Sequence, residues 1–278
     1  MKLCRYVGGY GLVDDDAVID ITAFVSSDVA DDYTDPLIAA IPALKLLDAD
    51  ALRSCKRRRV SDVEFLSPIR RPGKILAAPN NYREHTAEMH DDSAANAARS
   101  ATLEAAGFFL KATTSLVGPS QDVVIRFPDR RTDHEVELVI VIGRKVEKPI
   151  LTSEALGVVA AYGVGLDITL RGPEERSLRK SIDTYTVLGP TIVTADTVAD
   201  IEKGRMWLSV NGEMRQSVGL DDMIYGVGAQ VEYASRFYTL YPGDLIYTGT
   251  PSGVGPIRPG DTIRAGIAGL DDLEVRVR

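Results

Sequence analysis

The stretch RTDHEVELVIVIG, residues 131–143, alternates with a period of two from Glu135 onward. Glu135, Glu137, Val139 and Val141 face one way; Val136, Leu138, Ile140 and Ile142 face the other. Both faces turn apolar after Glu137, as in a strand covered on two sides. Such a strand should not begin with two carboxylates on one face. Burying one unpaired anion costs several kcal/mol in effective terms, and adjacent anions repel each other besides. Either that end of the strand is wet, or something cationic sits there.

The remaining composition narrows the setting. A chain of 278 residues, 45% apolar and 26% charged, has material for a sizeable core in one large or two smaller domains. A net charge of −8 argues against nucleic acid or an anionic membrane as partner. The basic run Lys56–Arg59 is the one contrary feature; without interleaved aromatic residues it reads as a solvated loop. The only cysteines, Cys4 and Cys55, form no CxxC and no disulfide framework, which suits a reducing cytosol. No basic and apolar leader follows Met1, and no apolar run nears the roughly 18 residues of a membrane span, so a soluble cytoplasmic protein is expected.

Residues 1–70 read as a small α+β domain: short strands with a hairpin across Asp14–Asp16, then a helical stretch from Asp28 to Asp48 interrupted by Pro36 and Pro42. The proline-rich SPIRRPGK, Ser67 to Lys74, marks the boundary with a second domain, 71–278. There KILAAP is a buried strand, and the polar, Ala-rich segment from Tyr82 to about Ala106 suits a mobile surface helix. Residues 122–143 read as strands, Thr152–Tyr162 as a helix capped by Thr152, and GVGLDIT as an apolar strand carrying Asp167. Val227, Val231, Ala234 and Tyr238 form an apolar helical stripe. YPGDLIYTGTP and RPGDTIRAGI are two copies of a Pro-Gly-Asp turn feeding a strand.

Several motifs are excluded. YGVGLDI and YGVGAQV lack the third glycine of a dinucleotide fingerprint, and no P-loop or GxSxG elbow occurs. HEVEL has Leu138 where a zinc-protease helix needs its second histidine. Three constellations remain. Glu135 and Glu137 lie on one strand face, and Asp167 could complete a three-carboxylate site for Mg²⁺ or Mn²⁺, leaving three positions open to water or substrate; the alternative is a solvated strand end paired with Arg130, Arg131 or Lys145. His85 and Glu88 are helical i, i+3 neighbours that could form a proton-transfer dyad, or an exposed pair of no consequence. Lys180 could hold a substrate carboxylate or an enolate, or simply lie on the surface.

Seven stretches in order, APNNYREHTAEM, FFLKATTSLVGP, DHEVELVIVIGR, YGVGLDITLR, RKSIDTYTVLGP, SVNGEMRQ and YPGDLIYTGTPSGVGP, resemble the fumarylacetoacetate hydrolase family, with its bacterial acylpyruvate hydrolase and 2-hydroxyhepta-2,4-diene-1,7-dioate isomerase-like members. They span residues 73–278. The resemblance implies a mixed β-sandwich roll behind a small N-terminal domain, usually as a homodimer, and a role in aromatic catabolism. It implies a divalent cation, Mg²⁺ with Mn²⁺ or Ca²⁺ as alternatives, on Glu135, Glu137 and Asp167. His85 and Glu88 match the family's lid dyad and Lys180 its catalytic lysine; Lys111, Arg83 and Thr250 are the substrate-binding candidates. Departures flank the pocket: Leu166 replaces a frequent Asn, LRG (Leu170 to Gly172) replaces a frequent ARD, and the Asp167–Lys180 segment is short. They bear on the substrate and not on the metal.

The expected reaction is hydrolytic C–C cleavage of an acylpyruvate-like 2,4-diketo acid. His85, oriented by Glu88, activates water, and Lys180 with the metal stabilises the pyruvate enolate. Competing readings are an oxaloacetate decarboxylase, an isomerase of an unsaturated 2-hydroxy diacid, and, in another class, a non-catalytic protein that binds a metal and a 2-oxo acid.

Overall fold

The strand Val136–Ile142 lies inside a twelve-stranded mixed sheet, antiparallel to Val159–Asp167 on one side and to Leu245–Tyr247 on the other. The structure is a computed structural model that describes residues 1–29, 31–83 and 102–278. Both faces of the strand are covered, as its two-sided apolar pattern requires. Val136, Leu138, Ile140 and Ile142 join one core with Tyr162, Val164 and Leu166. That core is closed by the helix Val227–Phe237, through Val227, Val231 and Ala234, and by a four-stranded sheet carrying Met206, Leu208, Ile263 and Ala265. Val139 and Val141 point the other way, into a second core with Ala161, Leu245 and Tyr247. The helix Pro36–Leu44 covers this face with Leu37, Ile38 and Ile41. This is the α+β, sheet-rich architecture expected.

The N-terminal residues belong to the same large sheet. The strand Lys2–Tyr6 pairs antiparallel with Thr186–Thr194, Leu3 opposite Ile192. The hairpin across the three aspartates forms, with Asp14 opposite Ala17 and Asp15 at φ +51°. The helical stretch expected from Asp28 to Asp48 is shorter, the helix Pro36–Leu44. Asp35 caps it by accepting from the Leu37 amide at 2.9 Å, Pro36 takes the first position, and Pro42 falls inside the last turns. The basic run is an exposed edge strand, Arg57–Arg59, and not a loop.

Two further expectations change. The helix predicted over Thr152–Tyr162 is only Thr152–Ala155, with Leu151 and not Thr152 at the cap position; from Val159 the chain is strand. Pairing of Tyr162 with Ile140 and Val159 with Ile142 in a buried sheet overrides the helix propensity of Ala and Leu. Between 122 and 131 there is no strand; regular pairing begins at Thr132–His134.

Candidate metal centre and its pocket

Register explains the carboxylates. Val136 stands opposite Leu166 and Glu137 opposite Gly165, and the Asp167 amide donates to the Glu135 carbonyl at 2.9 Å. Residues directly opposite on paired strands share a face. Glu135, Glu137 and Asp167 therefore project together, and Gly165 leaves the fourth corner bare. A Cβ at Gly165 would lie 2.5 Å from Val139 Cγ2 and 2.7 Å from Tyr247 Cε1, so the close packing there requires glycine.

One oxygen from each of the three carboxylates lies within 4.8 Å of the others, and all three residues are buried. Burial pushes the Glu137 carboxyl well above its ordinary range; the Asp167 charge adds to this and Lys180 opposes it. Glu137 is held by the Gly249 amide at 2.7 Å. Gly249 has φ +97°, a left-handed conformation that side chains rarely adopt, and a Cβ there would stand 2.7 Å from Asn81 Cβ.

Cations surround the acids. Lys180, at the end of the short helix Arg176–Lys180, donates to Glu135 at 2.6 Å, Asp167 at 2.6 Å and Thr169 Oγ1 at 2.7 Å. Burial alone would lower its pKa, but the charges of Asp167, Glu135 and Glu137 raise it on balance, so it remains an ammonium. Lys111 donates to Asp167, to the Lys180 carbonyl at 2.6 Å and to the Tyr185 carbonyl at 3.2 Å. Arg171 joins Asp133 at 2.6 Å to Glu135 at 3.1 Å. These ion pairs fall on Glu135 and Asp167; Glu137 lies beside them, held by the Gly249 amide. An all-oxygen triad of this compactness fits a hard divalent cation.

A small cavity opens onto these groups. Glu135, Glu137 and Lys180 line it with Thr250, Phe109 and three arginines, Arg171, Arg176 and Arg179. Gln216 braces one side: its Oε1 accepts from the Val136 amide at 3.2 Å and lies 3.1 Å from His134 Nδ1, while its amide donates to Thr250 Oγ1 at 2.9 Å.

The fold thus brings Glu135, Glu137, Asp167, Lys180 and Thr250 together. Lys111 joins them through Asp167 and is not among the groups lining the cavity. Arg83 is exposed and donates to the Asp222 carboxylate and carbonyl, each at 3.3 Å. His85 and Glu88 lie outside the described residues. Sequence reasoning passes over Asp133, Arg176, Arg179 and Gln216. Gln216 ends the quoted SVNGEMRQ, Asp133 opens DHEVELVIVIGR and Arg179 opens RKSIDTYTVLGP, so motif position is the available signal for these three; Arg176 lies outside every quoted stretch.

Comparison with known proteins agrees with this geometry. The family model described as fumarylacetoacetate (FAA) hydrolase C-terminal matches residues 74–278. The chain is 45% identical to a maleylpyruvate hydrolase of Aquipseudomonas alcaligenes, over all of this chain and 99% of that protein. It is similar to the crystal structure of maleylpyruvate hydrolase from Sphingobium sp. SYK-6 in complex with manganese(II) and pyruvate: TM-score 0.85, 35% identity, 100% of this chain and 98% of the other covered. It is also 35% identical to an oxaloacetate tautomerase of Rattus norvegicus, over 71% of this chain and 62% of that protein. This chain is a metal-dependent hydrolase that belongs to the fumarylacetoacetate hydrolase family.

Proposed function

We propose that the chain hydrolyses an acylpyruvate-type 2,4-diketo acid at its C–C bond, releasing pyruvate and a carboxylic acid. The observation that carries this reading is the convergence of Glu135, Glu137 and Asp167 with the Lys180 ammonium in one buried pocket. It is supported by full-length similarity to maleylpyruvate hydrolases, one of them solved with manganese(II) and pyruvate. Glu135, Glu137 and Asp167 hold the divalent ion, Mg²⁺ in our reading with Mn²⁺ or Ca²⁺ as substitutes; when bound it supplies Lewis acidity to the 2-oxo acid end of the substrate.

The chain's own groups do the remaining work. Lys180 keeps its proton and places positive charge where the enolate oxygen of the leaving pyruvate develops. Lys111 fixes the Asp167 carboxylate and Arg171 the Glu135 carboxylate. Gln216 sets the Thr250 hydroxyl on the pocket wall. His85, oriented by Glu88, takes one proton of the attacking water, whose hydroxide adds to the distal carbonyl; the C–C bond then breaks, the electron pair goes to the enolate, and the enolate carbon takes up a proton in exchange for the one His85 releases, giving pyruvate.

A second reading keeps the same pocket. Similarity to an oxaloacetate tautomerase favours enolisation of a 2-oxo diacid without hydrolysis. An ultraviolet assay separates the two. Loss of the enol chromophore of an acylpyruvate, with equimolar pyruvate and dependence on added Mg²⁺, supports the hydrolase. Turnover of oxaloacetate alone refutes it. We further propose a cytoplasmic homodimer; among the described residues no helix is long and apolar enough to cross a membrane. The division of the chain near residue 70 is likewise proposed, and limited proteolysis between Ser67 and Lys74 tests it.

A further inference from the structure

We infer that Gln216 is a positioning residue: it fixes the Thr250 hydroxyl as a one-way hydrogen-bond donor into the pocket, toward an oxygen of the bound 2-oxo acid. This rests on the reading above, in which that end of the substrate lies at the triad. Gln216 belongs to the strand Glu213–Gly219, whose register passes from Leu208 opposite Gln216 to Ser209 opposite Met214. Arg215 is therefore the extra residue of a bulge, a feature that re-aims side chains beside sites. Met214, Arg215 and Ser217 are exposed, whereas Gln216 is 1% exposed. A carboxamide buried in this way must find partners for two donor hydrogens and two lone pairs.

It finds all four, and they leave it one orientation. The Val136 amide, which can only donate, faces Oε1 at 3.2 Å; the Pro251 carbonyl, which can only accept, faces Nε2 at 3.0 Å. Turning the carboxamide over would set donor against donor and acceptor against acceptor. Oε1 therefore also accepts from His134 Nδ1 at 3.1 Å, and the second Nε2 hydrogen goes to Thr250 Oγ1 at 2.9 Å. Thr250 is the acceptor in that bond, its one hydrogen bond among the described residues, so its own hydrogen is left for another partner. Thr250 lines the cavity with Glu135, Glu137 and Lys180, and an acceptor-only group such as a carboxylate completes its hydroxyl there. The same contacts join two parts of the site. His134 and Val136 flank Glu135, while Thr250 and Pro251 follow Gly249, whose amide holds Glu137 at 2.7 Å. Gln216 thus ties the strand that carries two of the acids to the turn that faces the substrate.

The test is calorimetric titration of pyruvate into the Mn²⁺-loaded wild type, Gln216→Glu, Thr250→Val and the double variant. Gln216→Glu keeps acceptors for Val136 and His134 but turns a second acceptor toward Thr250, which draws the hydroxyl hydrogen out of the pocket. Pyruvate affinity should fall about 10-fold or more in Gln216→Glu and in Thr250→Val alike, as a hydrogen bond to a charged group is lost. The double variant should bind no more weakly than Thr250→Val. Repulsion by the added charge, or general distortion of the site, would persist without the hydroxyl, so an equal loss from Gln216→Glu in both backgrounds overturns the proposal. Gln216→Met, which has neither charge nor donor, serves where Gln216→Glu does not fold; its loss should be smaller and again absent beside Thr250→Val, and a loss of one size in both backgrounds again overturns it. Pyruvate binding with this coupling, but without hydrolysis of any acylpyruvate, supports the proposal and refutes the hydrolase reading alone. Failure of the Mn²⁺-loaded wild type to bind pyruvate overturns it.

Discussion

Replacing Lys111 with methionine separates a lysine that shapes the site from one that meets substrate. Its side chain is fully buried, and its ammonium serves three acceptors: the Asp167 carboxylate and the carbonyls of Lys180 and Tyr185. Methionine has a similar length and no donor. Each buried acceptor left without a partner costs about 1–3 kcal/mol, and breaking a buried ion pair typically costs about 3–5 kcal/mol. These do not add, because Lys180 remains on Asp167 at 2.6 Å. We therefore expect Lys111→Met to lower unfolding free energy by about 3–5 kcal/mol, read from urea denaturation in EDTA. Saturating Mn²⁺ should recover part of the loss, since a second cation beside Asp167 replaces the missing charge. A loss under about 1 kcal/mol, unchanged by Mn²⁺, would show that the Asp167 ion pair does not hold the site together.

Three more outcomes follow from the same geometry. Because burial raises Glu137 above its ordinary value of 4.5, its charge opposes folding increasingly as pH rises through the interval above that value. Metal-free Glu137→Gln should therefore exceed the metal-free wild type in stability at neutral pH and lose the stabilisation that Mn²⁺ gives the wild type; a variant that is still stabilised by Mn²⁺ refutes the assignment. Burial holds the His134 imidazole below its ordinary 6.5, so the unfolded chain takes up the proton first as pH falls through 6.5. Wild-type stability should drop there by up to about 1.4 kcal/mol per pH unit, and His134→Gln should flatten that segment of the urea-midpoint profile. Gly249→Ala must adopt φ +97° and approach Asn81, costing about 1–3 kcal/mol; by calorimetric titration its Mn²⁺ affinity should also fall, because the Gly249 amide holds Glu137.

What the sequence shows and what it hides divide along the range of the interactions. Alternation from Glu135 to Ile142 is local, and it correctly assigns Val139 and Val141 to one core and Leu138 and Ile140 to another. The Asp-rich hairpin and the two Pro-Gly-Asp turns are equally local; Gly243 and Gly260 both adopt φ +98°. The pairing of Glu135 with Asp167 is a matter of register between distant segments, which no periodicity encodes, and motif order stood in for it. Val159–Tyr162 reads as helix because its alanines favour helix in isolation, while its partners Ile140 and Ile142 lie across the sheet. Arg176 and Arg179 sit on a helix too short to leave a periodic trace. The direction of the Lys111 amine, toward Asp167 and two carbonyls, depends on three segments meeting and is invisible in FFLK.

The first measurement to make is pyruvate release from maleylpyruvate by chelator-stripped protein as Mn²⁺ is titrated back, with bound Mn²⁺ followed by electron paramagnetic resonance. Activity that rises in step with one Mn²⁺ per chain, and is absent with Asp167→Asn, is the result expected of a hydrolase whose metal sits on Glu135, Glu137 and Asp167. Full turnover by the stripped protein, or Mn²⁺ bound unchanged by Asp167→Asn, would contradict it.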